Sequence, residues 1–339
     1  MNHKKKIVFA ITPTHAYYSE LWNEASSLKA SEAGFDVHIP QGPPEKVNWA
    51  KEFQDAEGII TTWNSPKLDK EILRANSRLK IVGHAAGSIV NYISDYIFEQ
   101  NIPVVSANCD MAHSVAEWCV MGALMGRRRI MNYSRVGLNG ELDWEGRGNC
   151  GTLQNTTVGI WGYGAIASNV RAMLKPFLPD KILVDSDHLS DAAAMNDGMQ
   201  KTSTRELFRE SDIIFLLKGL NPATINKIDK NLLESIKDKA VLVNAGRGHL
   251  IQEQALLDEL KSERFIGVFD VFHKEPVSKS DPLCGYPNVI LTPHNAGYPS
   301  RGCYVSTIID DFRNFFSNKK LKNQIVTEKI KHMSMNIAS

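Results

Sequence analysis

The stretch that decides the fold runs from Thr157 to Ala167 and reads Thr-Val-Gly-Ile-Trp-Gly-Tyr-Gly-Ala-Ile-Ala. Its apolar start predicts a short buried strand, and its glycines predict a sharp turn into a helix. Gly162 and Gly164 let the backbone approach a ligand, because no Cβ stands in the way. The free N–H groups and the dipole at the start of the helix favour a pyrophosphate. Ala167 takes the third glycine position of G-x-G-x-x-G, where helix and strand pack closely.

An apolar helix face and a second strand strengthen this interpretation. Apolar residues recur at helical spacing after the turn, at Ile166, Val170, Met173, Leu174 and Phe177. The segment 181–185 predicts the next strand, and it places the carboxylate of Asp185 roughly 20 residues after Gly162. An acid there would bind the ribose 2′-hydroxyl and repel a 2′-phosphate. Because residues 186–188 contain no Arg or Lys, the sequence predicts NAD as cofactor in preference to NADP.

Composition bounds the class of protein. A chain of 339 residues predicts about two domains, and 43% hydrophobic with 23% charged residues is typical of a globular protein. The net charge of +1 carries no electrostatic signature of nucleic-acid or membrane binding. No apolar run approaches the ~18 residues that span a bilayer. We therefore expect neither a nucleic-acid nor a membrane partner.

Cysteine and histidine usage indicates the compartment. The chain has five cysteines, an odd number with no C-x-x-C pair, and its ten histidines include no H-E-x-x-H pattern. This scatter favours free thiols in a reducing cytoplasm and argues against a metal site. We expect a cytoplasmic protein without a bound metal.

Strand-like and helix-like segments alternate along the chain. Predicted strands cover 6–11, 37–40, 58–62, 79–82, 104–106, 212–217, 240–244, 266–272 and 289–292, and predicted helices cover 18–33, 69–75, 232–236, 252–260 and 305–316. This alternation predicts an α/β fold whose parallel sheets are covered on both faces. The segment 114–127 is apolar nearly all round, which predicts a helix buried at a domain junction or a subunit interface.

Three ionisable residues follow predicted strands, where an open α/β sheet delivers its functional groups. They are Arg247, Glu275 and His294. Arg can clamp a carboxylate with two hydrogen bonds, His can exchange a proton near neutral pH, and Glu can orient the imidazole. Taken singly, each has a structural alternative, as a turn residue, an exposed loop acid and a strand cap. Taken together behind a dinucleotide turn, they predict reduction of a 2-keto acid.

Three segments extend this interpretation to a family. The segments Val243–Gly248, Asp270–Pro276 and Leu291–Gly297 resemble signature segments of the D-isomer-specific 2-hydroxyacid dehydrogenases. The resemblance covers most of the chain, from about residue 6 to 316. It implies that Arg247, Glu275 and His294 are the catalytic residues, and that Arg247 also binds the substrate.

The resemblance also implies a cofactor site and a carboxylate-binding loop. The expected NAD-binding residues are Gly162, Tyr163, Gly164, Ala165, Ile166, Asp185, Ala245 and Asp270. The segment 82–88 resembles the family's carboxylate loop, which implies substrate contacts from Ala86, Gly87 and Ser88.

The family architecture implies that one of the two domains is built from two separate segments of the chain. Its members have two Rossmann-like doubly wound parallel-sheet domains, with the active site in the cleft between them. The implied substrate domain is discontinuous and comprises 1–107 plus 297–339, and the NAD-binding domain comprises 108–296. The resemblance further implies a homodimer through the helix near 114–127.

Several positions depart from the family pattern and leave alternatives open. His84 is unusual in its loop and could line the substrate pocket or face solvent. Met111 replaces a polar residue near the cofactor, and Trp63 could either enter the cleft or pack on the core. Lys218 belongs to a segment, 217–221, that replaces a common His-x-Pro-Leu-Thr run. Two other functions share the fold: an NAD(H)-sensing, corepressor-like binding protein, and a relative that acts on formate or phosphite.

Overall fold

The computed structural model describes residues 4–139 and 144–335. The contacts of the main chain divide these residues into two compact units. Unit 1 comprises 4–112 and 297–335, and unit 2 comprises 113–139 and 144–296. The roles predicted for the two domains, substrate binding by 1–107 with 297–339 and NAD binding by 108–296, stay predictions.

The strands in the described residues are short. They are β1 (Lys5–Phe9), β2 (Phe35–His38), β3 (Gly58–Thr61), β4 (Ile81–His84), β5 (Val104–Ser106), β6 (Thr157–Trp161), β7 (Lys181–Asp185), β8 (Gln200–Lys201), β9 (Ile213–Leu216), β10 (Val241–Asn244), β11 (Ile266–Phe269) and β12 (Val289–Leu291).

Helices connect most of these strands. They are α1 (Tyr18–Leu21), α2 (Glu24–Glu32), α3 (Trp49–Phe53), α4 (Asp95–Glu99), α5 (Asn108–Arg127), α6 (Ile130–Asn139), α7 (Ala165–Leu174), α8 (Asp191–Asn196), α9 (Thr204–Glu210), α10 (Lys230–Glu234), α11 (Glu253–Leu260) and α12 (Tyr304–Phe316). Single 3₁₀ turns cover Pro44–Lys46, Glu145–Asn149, Lys175–Phe177, Gly248–Leu250, Pro282–Gly285, Tyr298–Cys303 and Thr327–His332.

Each unit contains one parallel sheet. In unit 1 the strand order is β2-β1-β3-β4-β5, and in unit 2 it is β12-β11-β10-β9-β6-β7-β8. In both sheets the chain starts near the middle and reverses direction, which is the doubly wound arrangement. In unit 2 the reversal lies between β6 and β9, so ligands are expected at the carboxyl ends of these two strands. The prediction of two Rossmann-like doubly wound parallel sheets is confirmed.

The central strands are mostly apolar and buried because helices cover both faces of each sheet. All four residues of β9, Ile213–Leu216, have no exposed surface. In unit 1 the amphipathic helix α12 packs Ile308 and Phe312 against the sheet, and both side chains are fully buried. The unit 2 sheet carries Arg247, Glu275 and His294 on the loops that follow β10, β11 and β12.

Two of the predicted helices are wrong in detail. The segment 69–75 forms turns instead of a helix. Asp69 caps its start, since its carboxylate accepts the N–H groups of Glu71 and Ile72, each at 3.0 Å. The main-chain bonds that follow, from Arg74 to Glu71 and from Asn76 to Leu73, span three residues and not the four of an α-helix. The helix predicted over 18–33 is divided into α1 and α2. Asn23 has an extended backbone there and accepts the N–H of Ser26 at 2.9 Å, which starts a new helix.

The apolar helix expected at 114–127 is the larger part of α5. Ala116, Cys119 and Ala123 are fully buried, and Gly122 and Gly126 lie against valines of the unit 2 sheet. Burial within the protomer therefore accounts for much of the apolar surface. No helix in the described ranges combines the length and the hydropathy that crossing a bilayer requires.

Candidate active site

The glycine turn after β6 has the geometry that a dinucleotide requires. Gly162 has φ +101°, and a Cβ at this position would lie 2.6 Å from the backbone N of Lys218. Gly164, in contrast, has φ −118°, and a Cβ there would meet nothing within 4 Å. The helix α7 follows at once, and no side chain caps its N-terminus. Open space beside uncapped N–H groups fits a bound pyrophosphate.

The predicted ribose acid already has two partners. Asp185 ends β7, and its carboxylate accepts a hydrogen bond from the Thr204 hydroxyl. The ammonium of Lys218 lies 3.1 Å from its other oxygen and 5.0 Å from the centre of the Trp161 ring. Lys218 follows β9, and Asp185 ends β7. Both strands are neighbours of β6 in the sheet, which brings the two side chains together. The sequence analysis missed Thr204 and the position of Lys218, because neither adjoins the turn in sequence.

The remaining predicted cofactor residues of the turn differ in exposure. Ala165 is exposed, and Ile166 is half-buried in the first turn of α7. The Tyr163 hydroxyl donates to Asp197 at 2.9 Å, and burial, with Asp197, raises the Tyr163 pKa. Ala245, partly buried, directly follows β10. Contacts of these residues with NAD stay predictions.

His294 and Glu275 form a hydrogen-bonded pair. Nδ1 of His294 lies 2.7 Å from Oε2 of Glu275, and Oε1 of Glu275 accepts the N–H of Phe272 at 3.1 Å. Burial raises the Glu275 pKa, but His294, the Phe272 N–H and the Arg247 charge together outweigh it, so the pKa is lowered. Glu275 is therefore a carboxylate near neutral pH. The His294 ring is 45% exposed, which leaves it accessible to a substrate.

His294 has an unusual backbone conformation. Its φ is +50°, in the left-handed region that non-glycine residues rarely occupy. Buried Asp270 holds the segment in place, since its carboxylate accepts the Thr292 hydroxyl at 2.6 Å and the N–H groups of Asn295 and Ala296 at 2.9 Å each. Burial raises the Asp270 pKa, and these three donors oppose the rise. Asp270, expected at the cofactor, thus also positions His294.

Arg247 is partly buried and lies three residues after the end of β10. Its Nη1 donates to the carbonyl of Gly246 at 2.7 Å, and its own carbonyl accepts the Asn244 side chain at 3.0 Å. Burial lowers the Arg247 pKa, and Glu275 acts in the opposite direction. The next residue, Gly248, lies against the main chain just before Glu275, since a Cβ on it would overlap the carbonyl carbon of Phe272. The structure thus brings the three predicted catalytic residues into one neighbourhood of unit 2.

A cavity of about 650 Å³ in unit 2 adjoins this neighbourhood. Glu275 and His294 line it, with apolar atoms of Phe272, Val277 and Leu291 on the other walls. Within the described residues, no group of three or more His, Cys, Asp or Glu side chains could hold a metal ion.

The predicted carboxylate loop lies at the end of β4 in unit 1. Ala86 and Gly87 are buried, and Ser88 donates its hydroxyl to the carbonyl of Ser334 at 2.5 Å. Met111 packs directly against this loop, because a Cβ on Gly87 would lie 2.7 Å from its sulfur. Whether these residues bind a substrate carboxylate stays a prediction.

His84, at the end of β4, does not face solvent. It is fully buried, stacks on Tyr92 with 4.8 Å between ring centroids, and has Nδ1 2.9 Å from the Thr61 hydroxyl. Burial lowers the His84 pKa to about 3, so the ring is neutral. Trp63 is partly buried and packs on Tyr17 and Tyr304, which agrees with the structural alternative for this residue.

Comparison with known proteins places the chain in a family. Residues 120–296, more than half of the chain, match the model of the D-isomer specific 2-hydroxyacid dehydrogenase, NAD binding domain. A protein of Staphylococcus saprophyticus assigned to the 2-hydroxyacid dehydrogenases is 29% identical over 300 residues, covering 86% of this chain and 93% of that protein. Glyoxylate/hydroxypyruvate reductase B of Serratia proteamaculans is 27% identical over 78% of this chain and 82% of its own length.

A solved structure is similar over nearly the whole chain. An acyclic imino acid reductase in complex with NADPH and D-Arg is 26% identical, with a TM-score of 0.74 over 95% of this chain and 100% of that chain. The matched family model covers the glycine turn and all three residues of the His294 neighbourhood. The chain is therefore an NAD-binding oxidoreductase that belongs to the D-isomer-specific 2-hydroxyacid dehydrogenase family.

Proposed function

We propose that this protein interconverts a 2-keto acid and a D-2-hydroxy acid, with His294 as the acid/base and Arg247 as the group that holds the substrate. The observation that carries the proposal is the 2.7 Å contact between His294 and Glu275, together with the effect of the Arg247 charge on Glu275. An acid/base, its orienting carboxylate and a carboxylate-binding cation are the groups that this reaction needs.

His294 exchanges the proton in this proposal. Glu275 occupies Nδ1, so Nε2 is the atom that donates to the carbonyl oxygen during reduction and accepts the hydroxyl proton during oxidation. The ionised Glu275 fixes the ring orientation through this contact. Bound NADH supplies the hydride that reaches the carbonyl carbon.

Arg247 binds the other end of the reacting group. Its guanidinium stays charged and offers a planar pair of N–H donors to the carboxylate or carbonyl oxygen. The amides of Ala86, Gly87 and Ser88 are the proposed second set of carboxylate contacts. Because Ser88 already donates its hydroxyl to Ser334, its contribution would come from the main chain.

The proposed assembly is a homodimer through α5. Met121, 44% exposed, is an apolar side chain of this helix that remains available for a partner. The proposed compartment is the cytoplasm, where the exposed cysteines Cys109, Cys150, Cys284 and Cys303 would remain reduced. Sedimentation of the purified protein tests the dimer.

The experiment that tests the function is oxidation of NADH, followed by its absorbance, with glyoxylate, hydroxypyruvate, pyruvate and phenylpyruvate. Turnover of any of them, with the D-hydroxy acid as product, supports the proposal. NADH binding without turnover on any keto acid contradicts it and favours a sensor. Formate and phosphite, each with NAD, are tested in parallel, because activity on one of them instead would assign a different substrate class.

A further inference from the structure

An ion pair occupies the ribose end of the dinucleotide site. Lys218 Nζ lies 3.1 Å from Asp185 Oδ1, and the two side chains are only 15% and 14% exposed. Asp185 was expected to discriminate against NADP by the repulsion of a lone carboxylate. That expectation took no account of Lys218, which is distant in sequence and adjacent in space.

Packing fixes the main chain of Lys218 at this place. A Cβ added to Gly162 would lie 2.6 Å from the Lys218 N and 2.7 Å from its Cγ, so the backbone and stem of Lys218 lie against the glycine turn itself. The ammonium lies 5.0 Å from the centre of the fully buried Trp161 ring. The attraction between the cation and the ring adds to that of the carboxylate and keeps the charge at this end of the site.

The pair changes the charge that a nucleotide meets. A carboxylate and an ammonium in contact are together neutral, and their partial burial strengthens the effect of each charge relative to water. Thr204 also donates to Asp185, so the carboxylate keeps a partner if Lys218 turns away. Asp187, 3.8 Å from Lys218, is 77% exposed, so solvent and salt screen its charge.

A lysine side chain can exchange one anionic partner, such as a carboxylate, for another, such as a phosphate. Its ammonium is a compact charge on a flexible stem, and it binds phosphate as a point charge without the fixed planar geometry of arginine. A phosphate at the ribose 2′ position would attract the ammonium away from Asp185, whereas a free 2′-hydroxyl would leave the pair together and bind the remaining carboxylate lone pairs.

We propose that Lys218 opens the ribose end of this site to a 2′-phosphate, so that the protein binds NADPH as well as NADH. The juxtaposition of Lys218, Asp185 and the glycine turn assigns this role. Lys218 is a specificity-determining residue in this proposal, and its role is independent of which acid is the substrate.

Direct binding tests the proposal without turnover. Dissociation constants of NADH and NADPH are measured by nucleotide fluorescence for the wild-type protein and for Lys218→Met, which keeps the stem and removes the charge. We expect the two wild-type constants to differ by less than about tenfold, or ~1.4 kcal/mol. We expect the ratio of the NADPH to the NADH constant to rise by about fivefold or more in K218M.

A smaller change in that ratio overturns the proposal, as does a wild-type ratio above about tenfold. The matched control is Lys237→Met. Lys237 forms a 3.2 Å pair with Asp212 at the opposite end of β9, so this variant removes a similar ion pair outside the nucleotide site. Its ratio of dissociation constants should equal that of the wild type.

Nucleotide fragments and a second variant keep the test valid if K218M folds poorly. Adenosine 2′,5′-bisphosphate and adenosine 5′-monophosphate differ only at the 2′ position, and each is titrated as a competitor of NADH against the wild-type protein. Binding of the bisphosphate that is tighter than that of the monophosphate, or weaker by less than about tenfold, supports the proposal, and a greater loss contradicts it. Lys218→Arg keeps a cation and should retain the wild-type ratio.

Discussion

Nδ1 of His294 lies 2.7 Å from Oε2 of Glu275. The two residues are on different loops, one after β12 and the other after β11, and these strands are neighbours in the unit 2 sheet. The contact occupies one ring nitrogen and gives the ring a defined orientation. In the proposed mechanism it leaves Nε2 as the atom that exchanges a proton with the substrate.

Replacement of His294 by Ala tests the proton transfer. We expect H294A to lower kcat by about 10²–10⁴-fold, the usual contribution of a general acid/base, while the dissociation constant of NADH is unchanged. His113→Ala is the control, because His113 also pairs with a glutamate, Glu117, at 3.4 Å but lies on α5. Turnover of H294A equal to that of H113A would remove His294 from the mechanism.

Glu275→Gln tests the orienting carboxylate through its pH dependence. The pKa of Glu275 is lowered in the folded protein, so its contribution to stability is present above its ordinary pKa and is lost as the pH falls through the folded value. As the pH falls from about 5 to below 4, the wild-type free energy of unfolding should therefore fall more steeply than that of E275Q. Urea unfolding measures both curves.

The control for this variant is Glu234→Gln, an exposed acid of α10, which should keep the wild-type slope. We also expect E275Q to lower kcat while NADH still binds. A pH dependence of stability that E275Q shares with the wild type would show that the carboxylate gains nothing from His294.

Arg247→Lys tests whether the guanidinium of Arg247 binds the substrate with two hydrogen bonds. Lysine keeps the positive charge and loses the planar pair of donors, so we expect KM for the keto acid to rise by about tenfold or more. The NADH dissociation constant should not change. Arg264→Lys, which alters an arginine paired with Glu259 and Asp238, is the control and should leave KM unaffected. An unaltered KM in R247K would exclude two-point binding by Arg247.

Asp270→Asn tests how the His294 segment is held. An amide cannot accept all three hydrogen bonds as the carboxylate does, so we expect a loss of about 1–3 kcal/mol in the free energy of unfolding and a lower kcat. Asp311→Asn is a matched control, since buried Asp311 accepts three hydrogen bonds from Lys322 and Asn323 in unit 1. Both variants should be less stable than the wild type. When each is assayed below its own melting temperature, only D270N should have a lower kcat.

Two alanine substitutions separate the structural and binding roles of the glycine turn. Gly162→Ala should destabilise the fold by about 1–2 kcal/mol or more, because its φ is left-handed and its Cβ would contact the Lys218 backbone. Gly164→Ala should change stability by less than about 0.5 kcal/mol, since its backbone and surroundings accept a methyl group. Thermal melting measures both.

Only NADH binding reveals the role of Gly164. The G164A methyl group would stand in the open space before α7, so we expect a dissociation constant at least about tenfold higher than that of the wild type. Wild-type affinity in G164A would mean that the pyrophosphate does not approach this residue.

Local pattern was enough to predict an α/β fold and the glycine turn, and the family resemblance added the two-domain arrangement. The strand, the glycine turn and α7 follow from periodicity within residues 157–177, because side-chain spacing and glycine conformation are local properties. The same reasoning located Asp185, Arg247, Glu275 and His294 at strand ends. It was wrong about 69–75, where the main chain after Asp69 closes three-residue turns instead of continuing as an α-helix.

Tertiary structure decided which of these groups meet. Lys218 pairs with Asp185 only because β9, β6 and β7 are neighbours in the sheet, and no pattern in the sequence encodes that distance. His84 became a buried neutral ring by stacking on Tyr92, an arrangement that packing selects. The sequence by itself determined the fold and the kinds of chemical group at the strand ends. Which charges neutralise each other was decided by tertiary structure, because electrostatic interactions depend on distance and burial rather than on order along the chain.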